Sequence, residues 1–277
     1  MDLLWLRVAA ILYAAAAVAV FPAVLYGIVC WRKTCVHLAG MAFFFHFVSC
    51  VEMLFQAGHL MPVGVREVES LLGFAMAGLF LLVWWLYDAI SLGIFVLPLT
   101  FFAVFVPCLG PDRYTFPSQG VHISWLVAHI SALMAAYVAL SFSLLASVLY
   151  LVQERHLKSK QKPGQDSWWF PLDWLPPLDT LERIAHATLE FGFPCMTVGL
   201  VIGSVLAETT RGATYFYDPK VIASFAMWAV YVTLLFVRRS AGLRGRRAAF
   251  LSGVVFLIML VVLAANVVSR LHRYGPQ

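Results

Sequence analysis

Apolar residues in this chain fall in long runs separated by short polar stretches. Eight runs, at about 8–29, 36–57, 68–87, 89–107, 122–152, 191–207, 219–237 and 248–268, approach or exceed the length a helix needs to cross a hydrocarbon core. A backbone in lipid must satisfy its own hydrogen bonds, so runs of this kind predict helices. The expected fold is all-α: a polytopic membrane helical bundle of about eight spans, forming one integral membrane domain over residues 1–277. The third and fourth spans are the hardest to separate, because Leu71 to Val106 is too long for one crossing. Tyr87, Asp88 and Ser91 supply the polar break there, and a tight turn at Asp88 is predicted.

The polar stretch from Gln153 to Leu189 opens with charged residues and then turns to SWWFPLDWLPPLDTLERIAHATLE. Trp168, Trp169 and Trp174 suit the headgroup zone. Leu178, Leu181, Ile184, Ala185 and Leu189 recur at helical spacing after Pro176-Pro177, which predicts an interfacial helix at about 178–190. Lys and Arg accumulate on the cytoplasmic side of membrane proteins. Eight spans with an outside N-terminus place twelve Lys and Arg on inner loops, among them Arg32, Lys33, Lys160 and Arg244, against seven outside. Both termini are therefore expected to be extracytoplasmic, and so is the loop between Glu208 and Lys220.

Composition agrees with the pattern: 62% hydrophobic and 12% charged residues, with a mean hydropathy of +0.86, exclude a soluble globule. Val8 to Val29 is longer than the apolar region of a cleaved signal and reads as a retained first span. The net charge of +5 comes mainly from loop Lys and Arg, so it bears on topology, and no nucleic-acid motif accompanies it. Five scattered cysteines, Cys30, Cys35, Cys50, Cys108 and Cys195, contain no C-x-x-C pair and encode neither a redox dithiol nor a zinc knuckle. No nucleophile and base pair or phosphate loop is present either, so the chain does not read as an enzyme.

Ionisable residues inside spans are costly and raise functional questions. His46 is open to two readings, a histidine hydrogen-bonded to a neighbouring helix or a metal or haem ligand. It shares a face with Cys50, while Glu52 points elsewhere. His129 lies one turn beyond Trp125, which suits the outer headgroup zone, and His272 follows the last span at the same face. The loop at 208–220 carries Arg211, Tyr215, Phe216, Tyr217 and Asp218. A haem site needs axial nitrogens, apolar walls and cations for the propionates. His129 and His272 would supply the nitrogens, Tyr215, Phe216 and Tyr217 a wall, and Arg211, Lys220 or Arg273 the cations. The alternative is equally concrete: aromatics in a short outer loop form an interfacial belt, and an Arg beside them snorkels.

These residues stand in motifs that resemble the cytochrome c assembly protein family, which includes the haem-handling CcsA and ResC group and a smaller HemX-like group. The resemblance covers about Trp125 to Gly275, with a weaker echo from His46 to Pro98. Its pieces are W-L-x-x-H-[IV]-S at 125–131, Tyr137, G-F-P-x-x-T-x-G-L at 192–200, D-P-K at 218–220, Trp228, Tyr231, Arg238, L-R-G at 243–245 and L-H-x-Y-G at 271–275. The resemblance implies that the loop ending in Asp218 corresponds to a tryptophan-rich haem-binding segment. It implies that His129 and His272 correspond to its flanking haem-ligand histidines. Arg211, Tyr215 and Tyr217 stand where that segment has tryptophans, and Phe236 stands where an L-H-x-R motif has the histidine of an internal haem site.

The resemblance, closest to the HemX-like subgroup, implies a haem-binding protein of the bacterial cytoplasmic (inner) membrane, acting in cytochrome c assembly or haem trafficking. Haem would be b-type and non-covalent. Implied partners are apocytochrome c and a membrane protein with a large extracytoplasmic domain, besides the lipid bilayer. Two other classes stay open. A regulator or scaffold would recruit assembly partners without bound haem. A small-solute transporter would use His46, Glu52 and Asp88 along a pathway, although the Gly and Pro breaks do not recur at matching positions in two halves.

Overall fold

The computed structural model describes residues 3–56, 65–109, 123–160, 175–211, 219–240, 247, 249–258 and 261. Among them the regular elements are all helical: α1 (Leu4–Leu25), α2 (Val29–Gln56), α3 (Val65–Tyr87), α4 (Gly93–Phe105), α5 (Ile123–Lys160), α6 (Leu178–Arg211), α7 (Pro219–Ser240) and α8 (Ala249–Ile258), with short 3-10 turns at Ile90–Leu92 and Val106–Leu109. The first seven regions contain spans long and apolar enough to cross a membrane, the fourth formed by Ile90–Leu109 together, and the chain is an all-α, multi-pass membrane protein. Described residues of the eighth expected span, 248–268, include only the shorter apolar helix α8. The remainder of that span lies outside the described residues.

The chain divides into two compact units, Met1–Ser118 with Gln153–Thr180, and Gln119–Val152 with Leu181–Gln277. In the first unit α1 packs against α2 and α4, and α3 packs against α2 and α4. The buried face of α1 is made largely of small residues, Ala9, Ala10, Ala16, Ala19 and Ala23, around Tyr13 and Val20. Small side chains let helix backbones approach closely, which is how membrane helices gain packing energy without a hydrophobic drive between them. Tyr13 joins Leu6, Ala42, Ala77 and Val104 in the core.

The predicted turn at Asp88 is present. α3 ends at Tyr87, and Asp88 adopts a left-handed backbone with φ 53°, a conformation in which Asp is enriched among non-glycine residues. Its carboxylate pairs with the Arg32 guanidinium. α2 starts at Val29, earlier than the expected 36. Arg32 and Lys33 were expected on a loop, yet they lie within the helix, where Thr34 Oγ1 donates to the Cys30 carbonyl at 3.0 Å and His37 Nδ1 bonds the Lys33 carbonyl at 2.6 Å.

In the second unit, Ala136 and Leu140 of α5, Leu189 and Met196 of α6, Met227, Tyr231 and Leu234 of α7 and Val255 of α8 form one buried cluster. α6 also departs from expectation. An interfacial helix at 178–190 followed by a separate span at 191–207 is replaced by one continuous 34-residue helix, which runs through Pro194. Proline removes one rung of the ladder and bends a helix, but neighbouring helices and hydroxyl side chains make it tolerable in membrane spans. Here Thr197 Oγ1 donates to the Phe193 carbonyl at 2.9 Å, and Tyr231 of α7 donates to the Leu189 carbonyl at 2.8 Å.

Candidate functional site

His129 stands one turn along α5 from Trp125, whose indole-bearing residue is 55% exposed. The imidazole is partly buried against α6. Its Nδ1 lies 2.7 Å from the carbonyl oxygen of Gly199. A carbonyl only accepts, so Nδ1 carries the proton, and the neutral ring keeps its lone pair on Nε2. One turn further along α6, a Cβ placed on Gly203 would overlap Cε1 of the same ring and approach Nδ1 to 2.7 Å. α6 thus provides both an acceptor and a recess for one histidine. A protein metal ligand typically has one ring nitrogen fixed by a carbonyl in this way, which orients the ring and raises the basicity of the other nitrogen.

The motif residues on α6 and α7 serve to lock those helices together. Trp228 Nε1 donates to Thr197 Oγ1 at 3.0 Å, and the Tyr231 hydroxyl reaches Leu189. Gly192 makes the second contact possible: a Cβ there would sit 2.6 Å from the Tyr231 oxygen. At the far end Ser143 Oγ and an Arg238 guanidinium nitrogen both reach the Ala185 carbonyl, at 2.7 and 3.4 Å. Tie points at 185 with 238, 189 with 231 and 197 with 228 make α6 and α7 antiparallel.

His46 belongs to the first unit and is fully buried. Its Nε2 pairs with Ser70 Oγ at 3.0 Å and its Nδ1 lies 3.5 Å from the Tyr13 hydroxyl, with the Phe74 ring edge-on at 5.4 Å. Both ring nitrogens are therefore engaged, as in the hydrogen-bonded reading of this residue. Phe236 is 68% exposed on α7, two residues before Arg238. His272, Tyr215, Phe216, Tyr217, Asp218 and Arg273, and the side chains of Arg211 and Lys220, lie outside the described residues. Of the expected haem residues the structure therefore describes His129 and His46, which fall in different units. Gly199 and Gly203 were not singled out as partners of His129. Their spacing of four, which puts both on one face of α6, was the available signal.

A bundle of apolar helices with an oriented histidine at one helix end defines a helical multi-pass membrane protein. The chain belongs to the cytochrome c assembly protein family, whose profile matches residues 5–272. It is similar to the cytochrome c biogenesis protein CcsA of Guillardia theta, 30% identical over 166 residues that cover 55% of this chain and 54% of that protein. CcsA of Prochlorococcus marinus strain MIT 9215 is 32% identical over 167 residues, covering 55% and 54%. CcsA of Synechococcus sp. strain CC9902 is 33% identical over 195 residues, covering 61% and 64%. The chain spans about half the length of the first two of these curated relatives.

Proposed function

We propose that this chain binds haem and acts in cytochrome c assembly or a closely related haem-trafficking step, with His129 Nε2 as one axial base. The observation that carries the reading is the His129 Nδ1 bond to the Gly199 carbonyl, which fixes the ring and makes Nε2 the nitrogen with a lone pair in the neutral form. The family and its CcsA relatives support the biological setting. Haem, when bound, supplies an iron that takes axial nitrogen ligands. The chain's own residues would position that ligand and limit water. By the resemblance, His272 would be the second axial base, Tyr215, Phe216 and Tyr217, with Asp218 in the same loop, would cover the haem, and Arg211 would stand near a propionate. Binding is non-covalent, as in b-type proteins, because covalent attachment uses C-x-x-C-H and the chain has no C-x-x-C.

In this reading the protein is a HemX-like member of the family, not an enzyme. It works in the bacterial cytoplasmic membrane with its termini outside, alongside apocytochrome c and a membrane partner bearing a large extracytoplasmic domain. Both nitrogens of His46 already have partners, so that residue supports the first unit's packing and takes no part in ligation. Visible absorption of the purified protein tests the proposal. His129→Ala and His272→Ala should each convert a six-coordinate low-spin spectrum to a five-coordinate or haem-free one, while His37→Ala and His156→Ala leave it unchanged. Retention of the parent spectrum and haem content in both of the first two variants would overturn the ligand assignment. A colourless parent that still supports cytochrome maturation would make the chain a scaffold.

A further inference from the structure

At the end of the α6–α7 pair away from His129, the two helices part around a cleft of about 360 Å³. That is within the range of about 300–1,000 Å³ typical of ligand pockets. Its rim is polar, with His186, Glu190 and Arg239. Its wall is apolar, with Phe193, Val232 and Phe236. The antiparallel tie points put His186 nearest the level of Arg239, with Glu190 about one turn deeper beside Val232 and Phe193 deeper still. Arg239 is also the last residue of the apolar stretch Val221–Arg239, so that charge stands at the edge of the span. Phe236 is 68% exposed on this span, one turn from its end. The cleft therefore has one charge, Arg239, at the end of a span and the His186–Glu190 pair further in.

Those charges are specific. His186 Nε2 lies 3.2 Å from a Glu190 carboxylate oxygen, both side chains about half exposed, and Arg239 stands on the other helix. A purely anionic head would gain Arg239 but face Glu190, and a purely cationic one would meet the reverse. A head with both charges satisfies both. We propose that this cleft binds an aminophospholipid, with its phosphate on the Arg239 guanidinium and its primary ammonium on the Glu190 carboxylate. The first part of an acyl chain would lie against Phe193, Val232 and Phe236. A primary ammonium donates hydrogen bonds to a carboxylate, which a quaternary choline cannot do, and charge-assisted bonds are the stronger class. Basic pockets between membrane helices are known headgroup sites.

The test is native mass spectrometry of the full-length protein, delipidated in detergent and titrated with phosphatidylethanolamine, phosphatidylcholine or phosphatidylglycerol of identical chains. The parent should retain phosphatidylethanolamine about tenfold more tightly than the other two. Glu190→Gln should erase the preference over phosphatidylglycerol, and Arg239→Gln should weaken phosphatidylethanolamine binding about tenfold. Val232→Phe fills the cleft without touching a charge and should exclude the lipid while circular dichroism shows parental helix content. Equal retention of the three lipids, or a preference that survives both charge substitutions, would overturn the proposal. Displacement by soluble phosphoethanolamine at the same concentration would overturn the membrane origin of the ligand.

Discussion

Gly203 of α6 lies directly against the imidazole of His129 of α5, so close that a side chain of even one carbon would occupy the ring's place. Gly203→Ala should therefore displace the ring and break its bond to Gly199, at an overpacking cost of about 1–3 kcal/mol. Equilibrium unfolding in mixed detergent measures that cost. The visible spectrum reports the ligand separately: loss of six-coordinate character in Gly203→Ala, with helix content retained, marks a positioning role. A parental spectrum in Gly203→Ala beside a changed one in His129→Ala would show that the ring tolerates the move.

Tyr231→Phe removes the hydroxyl that reaches Leu189 and leaves the ring in place. The expected loss is about 1 kcal/mol, the usual net worth of one hydrogen bond. Gly192→Ala should cost more, since its added carbon meets the same oxygen at 2.6 Å and the Ala139 methyl at 3.1 Å. In Tyr231→Phe that oxygen is gone, so the combined variant should be less destabilised than the two single effects added. Additive losses would show that the two residues do not share this contact.

His46 and Ser70 form a buried polar pair in the first unit. Ser70→Ala should leave Nε2 of the ring unpaired and cost about 1–3 kcal/mol. A double-mutant cycle of His46→Leu with Ser70→Ala, read by unfolding in detergent, should return a coupling of at least about 0.5 kcal/mol. Haem content should be unaffected in all three variants, and a haem-free His46→Leu protein would instead make this residue a ligand.

Reporter fusions decide the orientation. Fusions at Lys160 and Arg244 should read as cytoplasmic and one at Gly212 as extracytoplasmic, as the distribution of Lys and Arg requires. The inverted pattern would remove His129 from the outer face and with it the proposed site.

Much of the helical plan was legible because lipid leaves a span no other way to satisfy its backbone, and the polar break at Asp88 was enough to place a turn. What escaped depended on partners far along the chain. Arg32 and Lys33 read locally as a loop, yet they lie inside α2, where Arg32 meets Asp88, 56 residues away. The continuity of α6 hid behind a change of composition: Glu182, Arg183, His186 and Glu190 make its first half look interfacial, although the helix continues through Pro194 into the second. His129 drew notice as an ionisable residue near a span end. Its recess did not, because Gly199 and Gly203 acquire that role only once the register of α5 against α6 is known.

Pro194 lies between the His186–Glu190 pair and the Gly199–Gly203 recess, on a helix that runs through both. Lacking its N–H, the proline cannot bond back to the Glu190 carbonyl, so α6 is most easily flexed there. Gly203 is nine residues beyond, roughly 13 Å along the axis at 1.5 Å per residue. A small change of angle at this hinge would swing the Gly199 acceptor while the Glu190 carboxylate stayed with the segment before it. Any bend of α6 would pivot most readily at its one backbone position that has no donor of its own.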